Sequence, residues 1–212
     1  MRLQLPKIYP ITDVSLSGRT HAQQVAELID GGAGFIQIRE KTAPSDEFYA
    51  AVVEFLRTAR AAGTRIIVND RVDIALAAGA HGVHLGQTDL PATEARRLLG
   101  EEAIIGISTH NLEQAEDASR LPVDYVAFGP VWPTSTKEDP DPVVGLDTLA
   151  RVKELAGGRP LVAIGGIDDG NVAETLSAGA DCAAVIGSIY RGPEGIAERY
   201  RIMESAASVK HR

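Results

Sequence analysis

A single cysteine in 212 residues excludes an internal disulfide and a multi-cysteine metal cluster, and it fits a reducing compartment. That residue, Cys182, lies in the apolar run 182–186 and reads as a small buried hydrophobe, not a nucleophile. No apolar run approaches the ~18 residues of a membrane span, and residues 1–10 hold no hydrophobic signal-peptide core. Excess positive charge is also missing. Twenty-one Lys and Arg face 29 Asp and Glu, for a net charge of −8, which argues against nucleic acid and anionic membranes as partners. Any anionic ligand must therefore be held by local cations. No strand-linked GxGxxG and no Ser-His-Asp arrangement is evident. What remains is an ordinary globular composition, 44% hydrophobic and 24% charged, expected of a cytoplasmic chain acting on small molecules. A homo-oligomer is left open.

The chain carries a weak internal repeat. Gly32-Ala33-Gly34 precedes Phe35-Ile36-Gln37-Ile38-Arg39, Ala78-Gly79-Ala80 precedes Gly82-Val83-His84-Leu85, and Ala178-Gly179-Ala180 precedes Cys182 to Gly187. Each copy is a helix stopped by glycine and followed by a short apolar strand with a polar or glycine end. Leu121-Pro122 opens a fourth copy, with proline as the breaker. Eight such strands are predicted, at 8–12, 35–39, 65–68, 82–85, 104–108, 125–129, 161–165 and 183–187. Helical segments separate them, among them 21–30, 45–62, 72–78, 92–99, 112–120, 146–156 and 171–177, with caps expected at Ser45, Asn111 and Asp169. The α/β pattern predicts a single (β/α)8 TIM barrel over residues 1–212, with no room for an inserted domain.

In such a barrel chemistry collects where the strands end at their carboxyl side. Strand 2 offers Gln37, Arg39 and Lys41 at alternate positions, a fork and a point charge suited to a polyanion such as diphosphate. Asp70 and Asp89 follow strands 3 and 4. Each has a plain structural reading, Asp70 as cap of the next helix and Asp89 as opener of the turn into Pro91. Together, beside a basic strand, they point to a Mg2+ site completed by water and phosphate. The loop after strand 6 gathers Thr134, Ser135, Thr136 and Lys137, a second oxyanion binder or a lid. Gly165-Gly166 and Gly187-Ser188 end strands 7 and 8, where backbone N–H groups receive phosphate. His84 reads equally as a satisfied core histidine and as a group facing the site. His110 reads as a positioning or capping residue, and Ser108 as the better binding candidate.

These motifs, with Tyr9-Pro10-Ile11-Thr12-Asp13, Asn69-Asp70-Arg71, Gly86-Gln87-Thr88-Asp89, Gly106-Ile107-Ser108 and Gly129-Pro130-Val131, resemble in order and spacing thiamine-phosphate synthases of the ThiE type. The resemblance implies a magnesium-dependent transferase of thiamine biosynthesis. It would join hydroxymethylpyrimidine diphosphate to a thiazole phosphate or its carboxylated tautomer, by loss of diphosphate before the new bond forms. By position, Gln37, Ile38, Arg39, Glu40, Lys41, Asn69, Ser108 and Lys137 would hold the pyrimidine diphosphate, with Arg39, Lys41 and Lys137 catalytic. Asp70 and Asp89 would bind Mg2+. Thr134, Ser135, Thr136, Gly166, Ile186 and Gly187 would receive the thiazole phosphate. Where that family often has serine, this chain has Gly187, and Ser188 follows. The rival readings are a TenI-like thiazole tautomerase, on the same fold and without Mg2+, and a non-catalytic phosphate-binding barrel.

Overall fold

Short β-branched runs punctuated by glycine become eight strands in the computed structural model, which describes residues 3–134, 136 and 141–209. They are β1 (Ile8–Thr12), β2 (Phe35–Ile38), β3 (Arg65–Asn69), β4 (Gly82–Leu85), β5 (Ile104–Thr109), β6 (Tyr125–Phe128), β7 (Leu161–Ile164) and β8 (Cys182–Val185). Each pairs in parallel with its neighbour in sequence, and β8 pairs with β1 to close a barrel. The expected (β/α)8 architecture is the observed one.

The helices between them are α1 (Val14–Ser17), α2 (His21–Asp30), α3 (Ser45–Ala62), α4 (Val72–Ala78), α5 (Ala92–Leu99), α6 (Leu112–Ala118), α7 (Gly145–Leu155) and α8 (Val172–Ser177). A 3-10 turn over Gly187–Tyr190 follows β8, and α9 (Ile196–Ala207) completes the described chain. Of the expected caps, Asn111 accepts from the Gln114 N–H at 2.9 Å. Ser45 is already helical behind Pro44, and Asn171 takes the N-cap position expected of Asp169.

Strand alternation divides the core in two. Ile36, Ile38, Ile66, Val68, Val83 and Leu85 pack outward against the helices. Tyr9, Ile11, Phe35, Ile67, Tyr125, Ala127, Val162, Cys182 and Ala184 fill the interior. The large rings fit only because their neighbours are small. A Cβ on Gly106 would lie 2.0 Å from Cζ of Tyr125, so glycine on β5 opens the space that this ring occupies. Cys182 is fully buried in this interior, and burial holds its thiol well above the ordinary range, as expected of a packing residue.

The strand ends differ from expectation in both directions. Arg39, Gly129, Gly165, Ile186 and Gly187 leave the ladder and form the rim. Asn69 and Thr109 instead extend it by one residue each, Asn69 paired in register with His84 and Thr109 with Phe128.

Candidate active site

Above the apolar interior, the carboxyl ends of the strands surround a cavity of about 660 Å³. Gln37, Asn69, His84 and Ser108 come from β2 to β5 and meet on its floor. A continuous hydrogen-bonded row runs beneath it. Gln37 Nε2 donates to Tyr9 Oη at 3.1 Å, and Tyr9 Oη lies 3.1 Å from Tyr125 Oη. Tyr125 Oη is 2.9 Å from His84 Nδ1, and His84 Nε2 is 2.8 Å from Ser108 Oγ. The His84 and Tyr125 rings are stacked with centroids 5.5 Å apart. Burial lowers the His84 pKa from 6.5 to about 4, so the imidazole is neutral at physiological pH. His84 is thus both a satisfied core histidine and part of the floor.

The cations of strand 2 reach the rim already paired. Arg39 Nη1 donates to Asp13 Oδ2 at 2.5 Å, and Lys41 Nζ donates to Asp70. Ile38 and Glu40 alternate to the other side. Ile38 is wholly buried in the outer core. Glu40 accepts from the Thr42 and Ala43 N–H groups and faces His21 Nε2 at 3.2 Å. Partial burial pushes the Glu40 carboxyl up, but those donors outweigh it and hold the group at about 2. Neither side chain lines the cavity. His21 in turn has its pKa lowered by burial.

Asp70 does not cap the next helix. Its φ of 61° makes it the one non-glycine residue with left-handed backbone among the described residues, and Arg71 takes the N-cap position without a side-chain bond. Three backbone bonds hold the turn: Asp70 N to His84 O at 2.8 Å, Arg71 N to Asn69 O at 2.7 Å and Val72 N to Asp70 O at 3.1 Å. Asp89 accepts from the Gly86 N–H at 2.7 Å, so its carboxylate closes the turn that precedes it and does not open the turn into Pro91. The Asp89 pKa is nevertheless raised, first by burial and then, against the opposing Gly86 bond, by the neighbouring Asp70 carboxyl. Two carboxylates crowded in this way favour a cation between them. They are hard oxygen donors, and among the described residues no cluster of three His, Cys, Asp or Glu side chains can enclose a metal. Such a pair fits Mg2+, which takes few protein ligands and fills its shell with water and phosphate. Asn69 adds a second signal: its Nδ2 is buried and has no partner.

Thr134, Thr136, Gly166, Ile186 and Gly187 line the opposite wall. The Thr136 N–H donates to Thr134 Oγ1 at 3.3 Å, and a Cβ on Gly187 would lie 3.4 Å from Thr136 Oγ1. The loop after β6 is thereby carried onto the β8 end. It is anchored by the Val131 N–H to Ile164 O (2.9 Å), Trp132 N–H to Gly165 O (3.0 Å), and Trp132 Nε1 to Thr175 Oγ1 (2.9 Å). Gly166, at φ 66°, leaves room for that loop, since a Cβ there would lie 2.4 Å from Pro133 O. Ser188 is buried with its Oγ unpartnered. Ser135 and Lys137 lie outside the described residues.

Residues given no role from sequence also line the cavity, among them Gln87, which was only part of a motif, Asp168 and Arg191. Gln87 Nε2 donates to Ser108 O at 2.6 Å. Asp13, the partner of Arg39, was part of the strand 1 motif but carried no local sign of its role. His110 faces the cavity and has Nδ1 2.8 Å from Gly129 O, as suits a positioning residue.

The model of the family described as thiamine monophosphate synthase matches residues 8–189. A thiamine-phosphate synthase of Albidiferax ferrireducens is 44% identical over 190 residues, covering 89% of this chain and 86% of that one. One of Pelotomaculum thermopropionicum is 43% identical over 204 residues, covering 96% and 93%. The structure of a thiamine phosphate pyrophosphorylase from Pyrococcus furiosus superposes with a TM-score of 0.85 at 36% identity and covers 95% of each chain.

Proposed function

The chain belongs to the thiamine monophosphate synthase family, and from that premise we propose that its single barrel, residues 1–212, is a cytoplasmic thiamine-phosphate synthase. It joins hydroxymethylpyrimidine diphosphate to thiazole phosphate, giving thiamine phosphate and diphosphate. The observation that carries this reading is the meeting of a crowded carboxylate pair, Asp70 and Asp89, with Arg39 and Lys41 at one side of a cavity whose other wall is Thr134, Thr136 and Gly187. One side suits a leaving diphosphate, the other a retained phosphate.

The residues divide the work accordingly. Arg39 and Lys41 exchange their carboxylate partners for diphosphate oxygens and offset the charge that grows as the C–O bond breaks. Asp70 and Asp89 would hold magnesium, which when bound supplies further positive charge to the departing diphosphate. Gln37, Asn69 and Ser108 hold the pyrimidine, and the unpartnered Asn69 Nδ2 gains an acceptor from it. Thr134, Thr136 and the backbone at Gly166 and Gly187 seat the thiazole phosphate and aim the ring nitrogen at the exposed carbon. The apolar barrel interior beneath the floor keeps water from reaching the cation formed on the pyrimidine from below. No side-chain nucleophile is required. Ser135 and Lys137 are assigned to the two phosphate-bearing groups by resemblance.

The test is to incubate purified protein with both substrates, with magnesium or with chelator, and follow thiamine phosphate. Magnesium-dependent product is expected. Its absence with magnesium present overturns the reading, and aromatisation of a carboxythiazole indifferent to chelator identifies a tautomerase instead.

A further inference from the structure

The row beneath the cavity has a direction. Tyr9 and Tyr125 are almost wholly buried, so each hydroxyl has only its neighbours in the row as partners. Gln37 Nε2 donates to Tyr9, so the one proton of Tyr9 must go to Tyr125 or be orphaned. The Tyr125 proton must then go to His84 Nδ1, which leaves the ring proton on Nε2. His84 Nε2 therefore donates to Ser108 Oγ, and the Ser108 proton is released toward the cavity. At the far end, the Gln37 amide oxygen is free to accept. Reversing any one link leaves a proton facing a proton, so the row flips as a whole or not at all.

We propose that His84, with Tyr9 and Tyr125, is a positioning residue that locks the hydrogen-bonding polarity of Gln37 and Ser108, making Ser108 a donor and Gln37 an acceptor toward the pyrimidine substrate. Two contacts from β2 and β5, three strands apart in the barrel, are thereby fixed together before the ligand arrives. The complementary ligand face has a hydrogen-bond donor toward Gln37 and an acceptor toward Ser108, as an amino group and a ring nitrogen or ester oxygen provide. The inference deepens the synthase reading and rests on it for the ligand, but the proton order itself is a property of the free protein.

Two measurements separate these levels. Nitrogen-15 NMR of the free protein at neutral pH should find His84 neutral with its proton on Nε2. Tyr125→Phe keeps the stacked ring and removes the central oxygen, and Tyr9→Phe removes the link to Gln37. In both, the His84 proton should spread between Nδ1 and Nε2. Calorimetry should show binding of the pyrimidine diphosphate weakened about tenfold, the equivalent of one hydrogen bond, with thiazole phosphate affinity unchanged. A wild-type His84 protonated on Nδ1 overturns the proposed order. Unaltered pyrimidine affinity in both folded variants, verified by circular dichroism, overturns the positioning role. A wild-type protein with the Nε2–H tautomer that makes no thiamine phosphate would refute the synthase reading and leave the proton order standing.

Discussion

Replacing Asp70 separates its backbone from its carboxylate. A left-handed backbone costs a non-glycine residue on the order of 1 kcal/mol, and Asp70 sits there at φ 61°. Glycine removes that cost but adds roughly 0.5–1 kcal/mol of chain entropy to folding. The lost pairing with Lys41, whose side chain is 49% exposed, is worth about 0–1 kcal/mol. These contributions nearly cancel, and relief of crowding with Asp89 favours the variant. Asp70→Gly should therefore melt within about 3 °C of wild type. Turnover should fall by on the order of 100-fold or more, the scale expected when a preorganised source of positive charge is lost, because Asp70 would hold the magnesium that offsets the charge of the departing diphosphate. Asp70→Asn retains a residue tolerant of this backbone and should show the same pair of effects. In both variants the Asp89 carboxyl should titrate lower, because its like-charged neighbour is gone. Thermal unfolding, steady-state rates against magnesium concentration, and carboxyl NMR read the three quantities. Wild-type turnover in stable Asp70→Gly would refute the role of Asp70 in diphosphate departure; a loss of several kcal/mol in stability would make it a structural residue.

Acid should weaken the fold through His84. The unfolded histidine takes up a proton below about pH 6.5, whereas the folded one resists it until about 4, so the stabilisation is complete above 6.5 and declines as pH falls toward 4. The loss is about 3 kcal/mol, to be measured by urea unfolding without divalent cations, and a His84 NMR titration midpoint near 6.5 would refute it. Gly106→Ala drives a Cβ into the Tyr125 ring, and should cost on the order of 2 kcal/mol and shift the floor, seen as a lower melting temperature and weaker pyrimidine binding. Asn69→Ala removes a buried donor that has no partner, so stability should hold while affinity for the pyrimidine diphosphate falls about tenfold by calorimetry.

The barrel was legible because each glycine stop is followed by a short apolar strand, a local signal repeated often enough to determine the topology. The polar floor was legible in part: Gln37 and His84 interrupt apolar strands and Ser108 ends one, whereas Asn69 follows the expected end of β3 and entered only through the resemblance. Strand alternation also separates Gln37, Arg39 and Lys41 from Ile38 and Glu40. A motif carried over as a block hides that division, which is why Ile38 and Glu40 entered the expected site although their side chains turn away. What stayed hidden is non-local. Asp13 meets Arg39 across 26 positions, and Tyr9 meets Tyr125 across 116, with no spacing rule to announce either. The same distance explains why the capping alternative for Asp70 fails. An aspartate before a helix normally caps it, but here β4 claims the Asp70 N–H through His84 O and the chain turns left-handed. The carboxylate released from capping is then available to Lys41 and the crowded neighbourhood of Asp89. The pairing of β3 with β4 thus does more than close the barrel: through one residue, His84, it fixes both the Asp70 backbone from above and the Ser108 hydroxyl from the side.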